Sequence, residues 1–95
     1  MLTHVVLFKL TDRSAENVQA TRDRIAAIAD KISELRSFEV GVNVIESERA
    51  YDIALVATFD SIEGLNAYQT HPAHVEMLSH VRAGFASVVA VDYES

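Results

Sequence analysis

The strand-like stretches of this chain are apolar on both of their faces. In Leu2–Leu10, Val5 and Leu7 alternate with His4, Val6 and Phe8. In Tyr51–Phe59, the residues Tyr51, Ile53, Leu55 and Phe59 alternate with Ala54 and Val56. In Ser87–Tyr93, Val89, Val91 and Tyr93 oppose Val88, Ala90 and Asp92. Alternation of this kind predicts strands, and a sheet with helices on one side only normally shows water a polar second face. Neither face is polar here. One must pack on helices, and a chain of 95 residues has nothing left to cover the other. A second copy placed sheet to sheet about a two-fold axis is the economical cover. The resulting barrel is expected to enclose a cavity, with room left by Gly41 and Ala90 and polar groups from His4, Asn43 and Asp92.

The hydrophobic period changes along the chain in a definite order. After the first strand, Ser14 can cap a helix with Glu16 in its first turn. Val18, Ile25, Ile28, Ile32 and Leu35 then follow helical spacing, so one helix is expected as far as Leu35. From Phe38 to Glu46 the period returns to two, and a polar turn at Ser47–Ala50 leads to the third strand at Tyr51–Phe59. Asp60-Ser61-Ile62-Glu63 resembles a capping box in which Glu63 reaches back to the N-cap. Ile62, Leu65 and Tyr68 follow on a short helix, Pro72 ends or redirects it, and Val75, Leu78 and Val81 mark another. The pattern β-α-β-β-α-β predicts an α+β, ferredoxin-like protomer over residues 1–95. Its antiparallel sheet has strand order 4-1-3-2 and brings His4 beside Asp92.

Composition narrows the function. Eight basic against fourteen acidic residues give a charge of −6, and no basic cluster reverses it locally, so nucleic-acid binding is not expected. The apolar N-terminus lacks a basic flank and a cleavage site and is too short to span a bilayer. A soluble protein is expected, and the absence of cysteine is compatible with a reducing cytoplasm. Three glycines form no phosphate loop, and no serine or cysteine sits in a nucleophile elbow. No cofactor is expected.

Chemistry concentrates in Tyr68-Gln69-Thr70-His71-Pro72-Ala73-His74, which holds two of the four histidines. His71, His74 and Glu76 have a metal-ligand shape, but Pro72 separates the histidines and a catalytic zinc needs three ligands in fixed geometry. Metal binding is not expected. An acid–base site fits better: Asp92 beside His74 holds one imidazole nitrogen as a donor and leaves the other as a base. Tyr68 offers its hydroxyl to a developing oxyanion, and His4 adds a polar group at the same end. Plain structural roles stay open for the same residues. Tyr68 lies on an apolar stripe, His71 before Pro72 suits an N-cap or turn, and His80 suits the surface.

Several segments taken in order resemble one family. They are His4-Val5-Val6-Leu7-Phe8-Lys9, Tyr51-Asp52, Phe59-Asp60-Ser61, Ala67-Tyr68, His71-Pro72-Ala73-His74 and Val91-Asp92-Tyr93. Together they resemble the Dabb domain, the stress-responsive dimeric α/β barrel, over essentially the whole chain. The resemblance implies a homodimer joined through sheet faces. Family members include stress-associated proteins without an assigned reaction, and a plant polyketide cyclase that performs an intramolecular aldol condensation without a cofactor. By resemblance, the cyclase's catalytic tyrosine and histidine carry over to Tyr68 and His74. Its histidine-orienting aspartate carries over to Asp92, and its N-terminal strand histidine to His4. After His74 this chain has Val75-Glu76-Met77 where the cyclase has a small, glycine-containing stretch, a change that shrinks or closes a pocket. The expectation is a dimeric barrel that binds a small apolar or polyketide-like ligand, with His71, Asn43 and Phe8 among the contacts. The alternative is a cofactor-free, cyclase- or lyase-like enzyme with His74 as base.

Overall fold

A computed structural model describes residues 1–95. The chain runs β1 (Leu2–Leu10), α1 (Ala15–Ala26), β2 (Ser37–Val42), β3 (Ile53–Phe59), α2 (Ile62–Thr70) and α3 (Pro72–Val81). A 3-10 turn at Arg82–Gly84 then leads into β4 (Phe85–Glu94). The four strands form one antiparallel sheet in the order β2-β3-β1-β4, and His4 pairs directly with Asp92. This is the ferredoxin-like arrangement that the changes of period predict. No helix is long and apolar enough to cross a membrane.

Local chemistry sets the ends of the elements. Ser14 caps α1 by accepting the Asn17 N–H at 3.3 Å. The helix stops at Ala26, nine residues short of Leu35. The chain tightens there into turns with three-residue bonds, Ala29 N–H to Ala26 O at 3.2 Å and Lys31 N–H to Ile28 O at 3.0 Å. Ile28 and Ile32 still reach the core, because successive three-residue turns keep apolar groups on one side much as a helix does. β2 also ends early, at Val42. Val44 and Ile45 alternate in sequence but stand 90% and 74% exposed, because β3 begins only at Ile53 and offers no strand opposite them. The second helical stretch is capped by Ser61, which accepts the Gly64 N–H. That is one residue beyond the start of the expected box, and Asp60 pairs with Arg36 instead.

The core lies between one sheet face and the helices. Leu2, Val6, Phe8 and Leu10 of β1, with Ile53, Leu55, Ala57 and Phe59 of β3, meet Val18, Ile25, Leu65, Met77 and Val81 from the helices. Asp52 is the buried carboxylate of this half. It accepts the Leu10 N–H at 2.8 Å and Arg13 Nε–H at 3.0 Å, where the β1–β4 register slips after Lys9. Asp52 and Ile53 are both buried, so alternation fails between them and Tyr51 does not share the face of Ile53 as expected. Its hydroxyl instead lies 3.0 Å from Ser87 Oγ, with Lys9 Nζ 5.3 Å from its ring centroid. The opposite face carries Val5, Leu7, Ala54, Val56, Val89 and Val91 and is uncovered in the protomer; Val91 is 56% exposed.

Candidate functional site

A cavity of about 340 Å³ opens between the helix face of the sheet and helices α2 and α3. This corrects the expectation that His4 and Ala90 line a space between two sheets. His4, Val6 and Phe8 point to the helix side of β1, whereas Val5 and Leu7 point to the open side. Val88 and Ala90, on the helix face of β4, remain exposed. No helix closes over that strand, and the space between it and α3 stays open. Nine of the thirteen lining residues are hydrophobic. An apolar wall with a few convergent polar groups is the usual form of a small-molecule site.

Three rings supply the polar floor. Tyr68 is 1% exposed and sits among Phe59 at 5.2 Å, Phe38 at 6.4 Å, His74 at 4.6 Å and His4 at 6.1 Å between ring centroids. Its hydroxyl has no hydrogen-bond partner in the protein and is not sealed off, so it opens on the cavity. Burial pushes the phenol's pKa far up, so the group keeps its proton and can only donate it in a hydrogen bond or share a lone pair.

His74 is half-buried in the first turn of α3. Its Nδ1 lies 3.1 Å from the main-chain oxygen of Gln69. A carbonyl oxygen only accepts, so Nδ1 carries the hydrogen and Nε2 keeps the free lone pair. Burial is the main cause that lowers the His74 pKa; the Gln69 bond opposes it, and the nearby His4 and Arg82 charges add to it. The ring is therefore a neutral base with a defined tautomer.

Asp92 does not orient His74, as the residues had suggested. Its carboxylate accepts from Nδ1–H of His4, the residue paired with it across the β1–β4 ladder. The reason is reach: β4 sets Asp92 beside His4, while His74 stands on the far side of Tyr68 and finds the end of α2 first. Residues 67–70 close that helix and carry carbonyls with no partner inside it. Gln69 O is one of these, and the turn at Pro72 swings His74 back over it. The signal was present in sequence as a histidine just past a helix end, but it named no partner atom.

The remaining expected contacts divide. Phe8 lines the cavity floor, with the Phe85 ring at 4.9 Å. His71 does not line it: the residue caps α3, and its Nδ1 accepts the Ala73 N–H at 3.0 Å. Asn43 lies elsewhere: it borders a hollow of about 790 Å³ beside Arg13, Glu46, Glu48 and Asp52, and one of about 300 Å³ on the open sheet face with Leu7, Gly41 and Tyr51. The 790 Å³ hollow is larger than the cavity, but only three of its ten lining residues are hydrophobic and no imidazole or phenol enters it. The cavity of about 340 Å³ is the candidate site on chemistry. Gln69, Met77 and Arg82 also line it; Met77 belongs to the stretch after His74 expected to shrink or close a pocket, and the cavity stays open beside it, whereas nothing in the sequence marked Gln69 or Arg82 for this role.

Comparison with known proteins agrees with this architecture. Residues 2–95 match the family model of the Stress responsive A/B Barrel Domain, Dabb. The protein SCO4036 of Streptomyces coelicolor is 36% identical over 97 residues, 99% of each chain. The stress-response A/B barrel domain-containing protein HS1 of Arabidopsis thaliana is 28% identical over 96% of this chain and 86% of its own. A crystal structure from Bacteroides fragilis, described as a dimeric protein of ferredoxin-like fold, has a TM-score of 0.84 at 34% identity. That similarity covers 99% of this chain and 95% of that one. The chain belongs to the Dabb family of stress responsive A/B barrel domains.

Proposed function

We propose that this protein is a homodimer, joined through the open faces of its sheets, and that each protomer binds a small, mainly apolar molecule between its sheet and helices. The carrying observation is the apolar cavity on which an unpartnered Tyr68 hydroxyl and the rings of His4 and His74 converge. A ligand with one carbonyl or hydroxyl oxygen matches that set: apolar walls for its body, donors and acceptors for its oxygen. The apolar open face and the dimeric state of the Bacteroides fragilis relative support the dimer. A ligand at one hundred times its dissociation constant adds about 2.7 kcal/mol to stability. For a chain of this size that is a rise of roughly 10 °C or more in melting temperature. A screen of small apolar carbonyl compounds reads this shift, and Ala90→Phe, which adds a ring to the cavity wall and narrows it, should reduce it strongly. A shift that survives Ala90→Phe undiminished places the ligand elsewhere. Sedimentation at micromolar concentration tests the dimer; a monomer there ends the barrel.

The tautomer of His74 favours a second reading, a cofactor-free aldol-type cyclisation. His74 Nε2 takes a proton from the carbon beside a ligand carbonyl, and the Tyr68 hydroxyl hydrogen-bonds the enolate oxygen that forms. The enolate carbon attacks a second carbonyl of the same molecule and closes a ring, and the new alkoxide recovers the proton from His74. Asp92 holds the ring of His4, and Gln69 O holds that of His74. Turnover of a poly-β-keto compound that persists in full in His74→Ala excludes this role.

A further inference from the structure

Arg82 is the only permanently charged side chain lining the cavity, and no carboxylate lines it. Arg13, Arg22 and Arg36 each hold an aspartate; Arg82, like Arg24 and Arg49, holds none and makes no side-chain hydrogen bond, and of these three it alone lines the cavity. A position at the end of α3 suits a cation, because the helix dipole is negative there. That accounts for the charge but not for the side chain standing at the cavity. Depth completes the picture. Tyr68 and His4 are buried, while Gln69 and Arg82 are exposed, so the neutral polar groups lie inside and the guanidinium lies at the mouth. In a chain of net charge −6 this is a local reversal of sign.

We infer that Arg82 anchors an anion and that the ligands of this cavity are compact, mainly apolar carboxylic acids with a second oxygen, held with the acid outward at the guanidinium and the apolar body and its carbonyl or hydroxyl inside. The inference rests on the binding reading above and names its ligand class. A guanidinium suits the role because its planar fork meets a carboxylate with two parallel N–H donors. The neutral His74 behind it contributes a hydrogen-bonding ring without a second charge.

Matched pairs of probes, each with a ketone at the far end, test this: 4-acetylbenzoate with 4-acetylbenzyl alcohol, and 7-oxooctanoate with 8-hydroxyoctan-2-one, titrated by calorimetry into the 95-residue protein. The expected result is that at least one acid binds about tenfold tighter than its alcohol. The advantage should shrink as salt is raised, since the anchor is exposed. In Arg82→Gln the acid-to-alcohol ratio should fall to near one, and Arg82→Lys should keep part of it. Circular dichroism confirms that both variants are folded. Alcohols that bind as well as acids, or a preference that persists in Arg82→Gln, overturn the anchor and leave the cavity reading standing. If neither series binds, the cavity reading fails and takes the anchor with it.

Discussion

Replacing Tyr68 with phenylalanine separates what the ring does from what the hydroxyl does. The ring is 1% exposed and packed among Phe59, Phe38 and the two imidazoles, so Tyr68→Ala should cost about 3–5 kcal/mol, as large aromatic deletions do. Tyr68→Phe keeps all of that packing and removes one oxygen. Losing a hydrogen-bonded hydroxyl typically costs about 1 kcal/mol, but this hydroxyl has no partner in the protein. A polar group withdrawn from water without a partner is itself unfavourable by about 1–3 kcal/mol. The cavity lets solvent reach this one, so most of that penalty is relieved. Tyr68→Phe should therefore lie between neutral and about 1 kcal/mol more stable. Binding of a carbonyl-bearing ligand should weaken about fivefold through the lost hydrogen bond. If the hydroxyl stabilises an oxyanion, turnover should fall by about 10²–10³. Urea denaturation of both variants at one fixed protein concentration reads the first part, since the stability of a dimer depends on concentration. A loss above about 1 kcal/mol in Tyr68→Phe would show that the hydroxyl is bonded in the folded protein. Unchanged ligand affinity would remove it from the site.

Two further perturbations probe the frame around the cavity. Asp52→Ala leaves the Leu10 amide buried without an acceptor and should cost about 2–3 kcal/mol, whereas Arg13→Ala, which removes a half-exposed partner, should cost under about 1 kcal/mol. The reverse order in urea titrations would contradict the assignment of the Leu10 bond as the main contribution. For His74, burial holds the folded-state pKa below the ordinary 6.5, so the unfolded chain binds the extra proton first as pH falls. Stability from this group is complete above 6.5 and declines below it, toward the lowered folded value. The parent should therefore lose stability relative to His74→Gln as pH is lowered from about 7 toward 5, and a parallel course for the two proteins would show that His74 is not held neutral by the fold.

The residues around the cavity illustrate how far local pattern reaches. That His4 and Asp92 are neighbours is legible in the sequence, because an antiparallel β1–β4 pair can only bring the start of one strand to the end of the other. That Asp92 serves His4 and not His74 was not legible, because it depends on which ring lies across the strand pair and which lies beyond Tyr68. Asn43 misled for a similar reason. It continues the alternation of β2 in sequence, and its N–H still donates to the Asp52 carbonyl at 2.9 Å, but the strand ends at Val42 and the side chain turns to the Ile45 carbonyl at 2.9 Å. Arg82 carried no signal at all, since a single arginine after a helix reads as a surface residue until the cavity beside it is known.

What the chain's sequence determined by itself is the class of fold and the presence of two apolar sheet faces. Both follow from period, and period is a property of neighbouring residues that survives any detail of packing. Tertiary structure decided which of the two faces holds the cavity. Alternation marks two sides of a strand without saying which side meets helices, and the gap arises only because α2 and α3 leave β4 uncovered. It also decided the partners of the two cavity imidazoles: Asp92 meets His4 only through the β1–β4 pairing, and His74 meets the Gln69 carbonyl only because the turn at Pro72 folds α3 back over the end of α2.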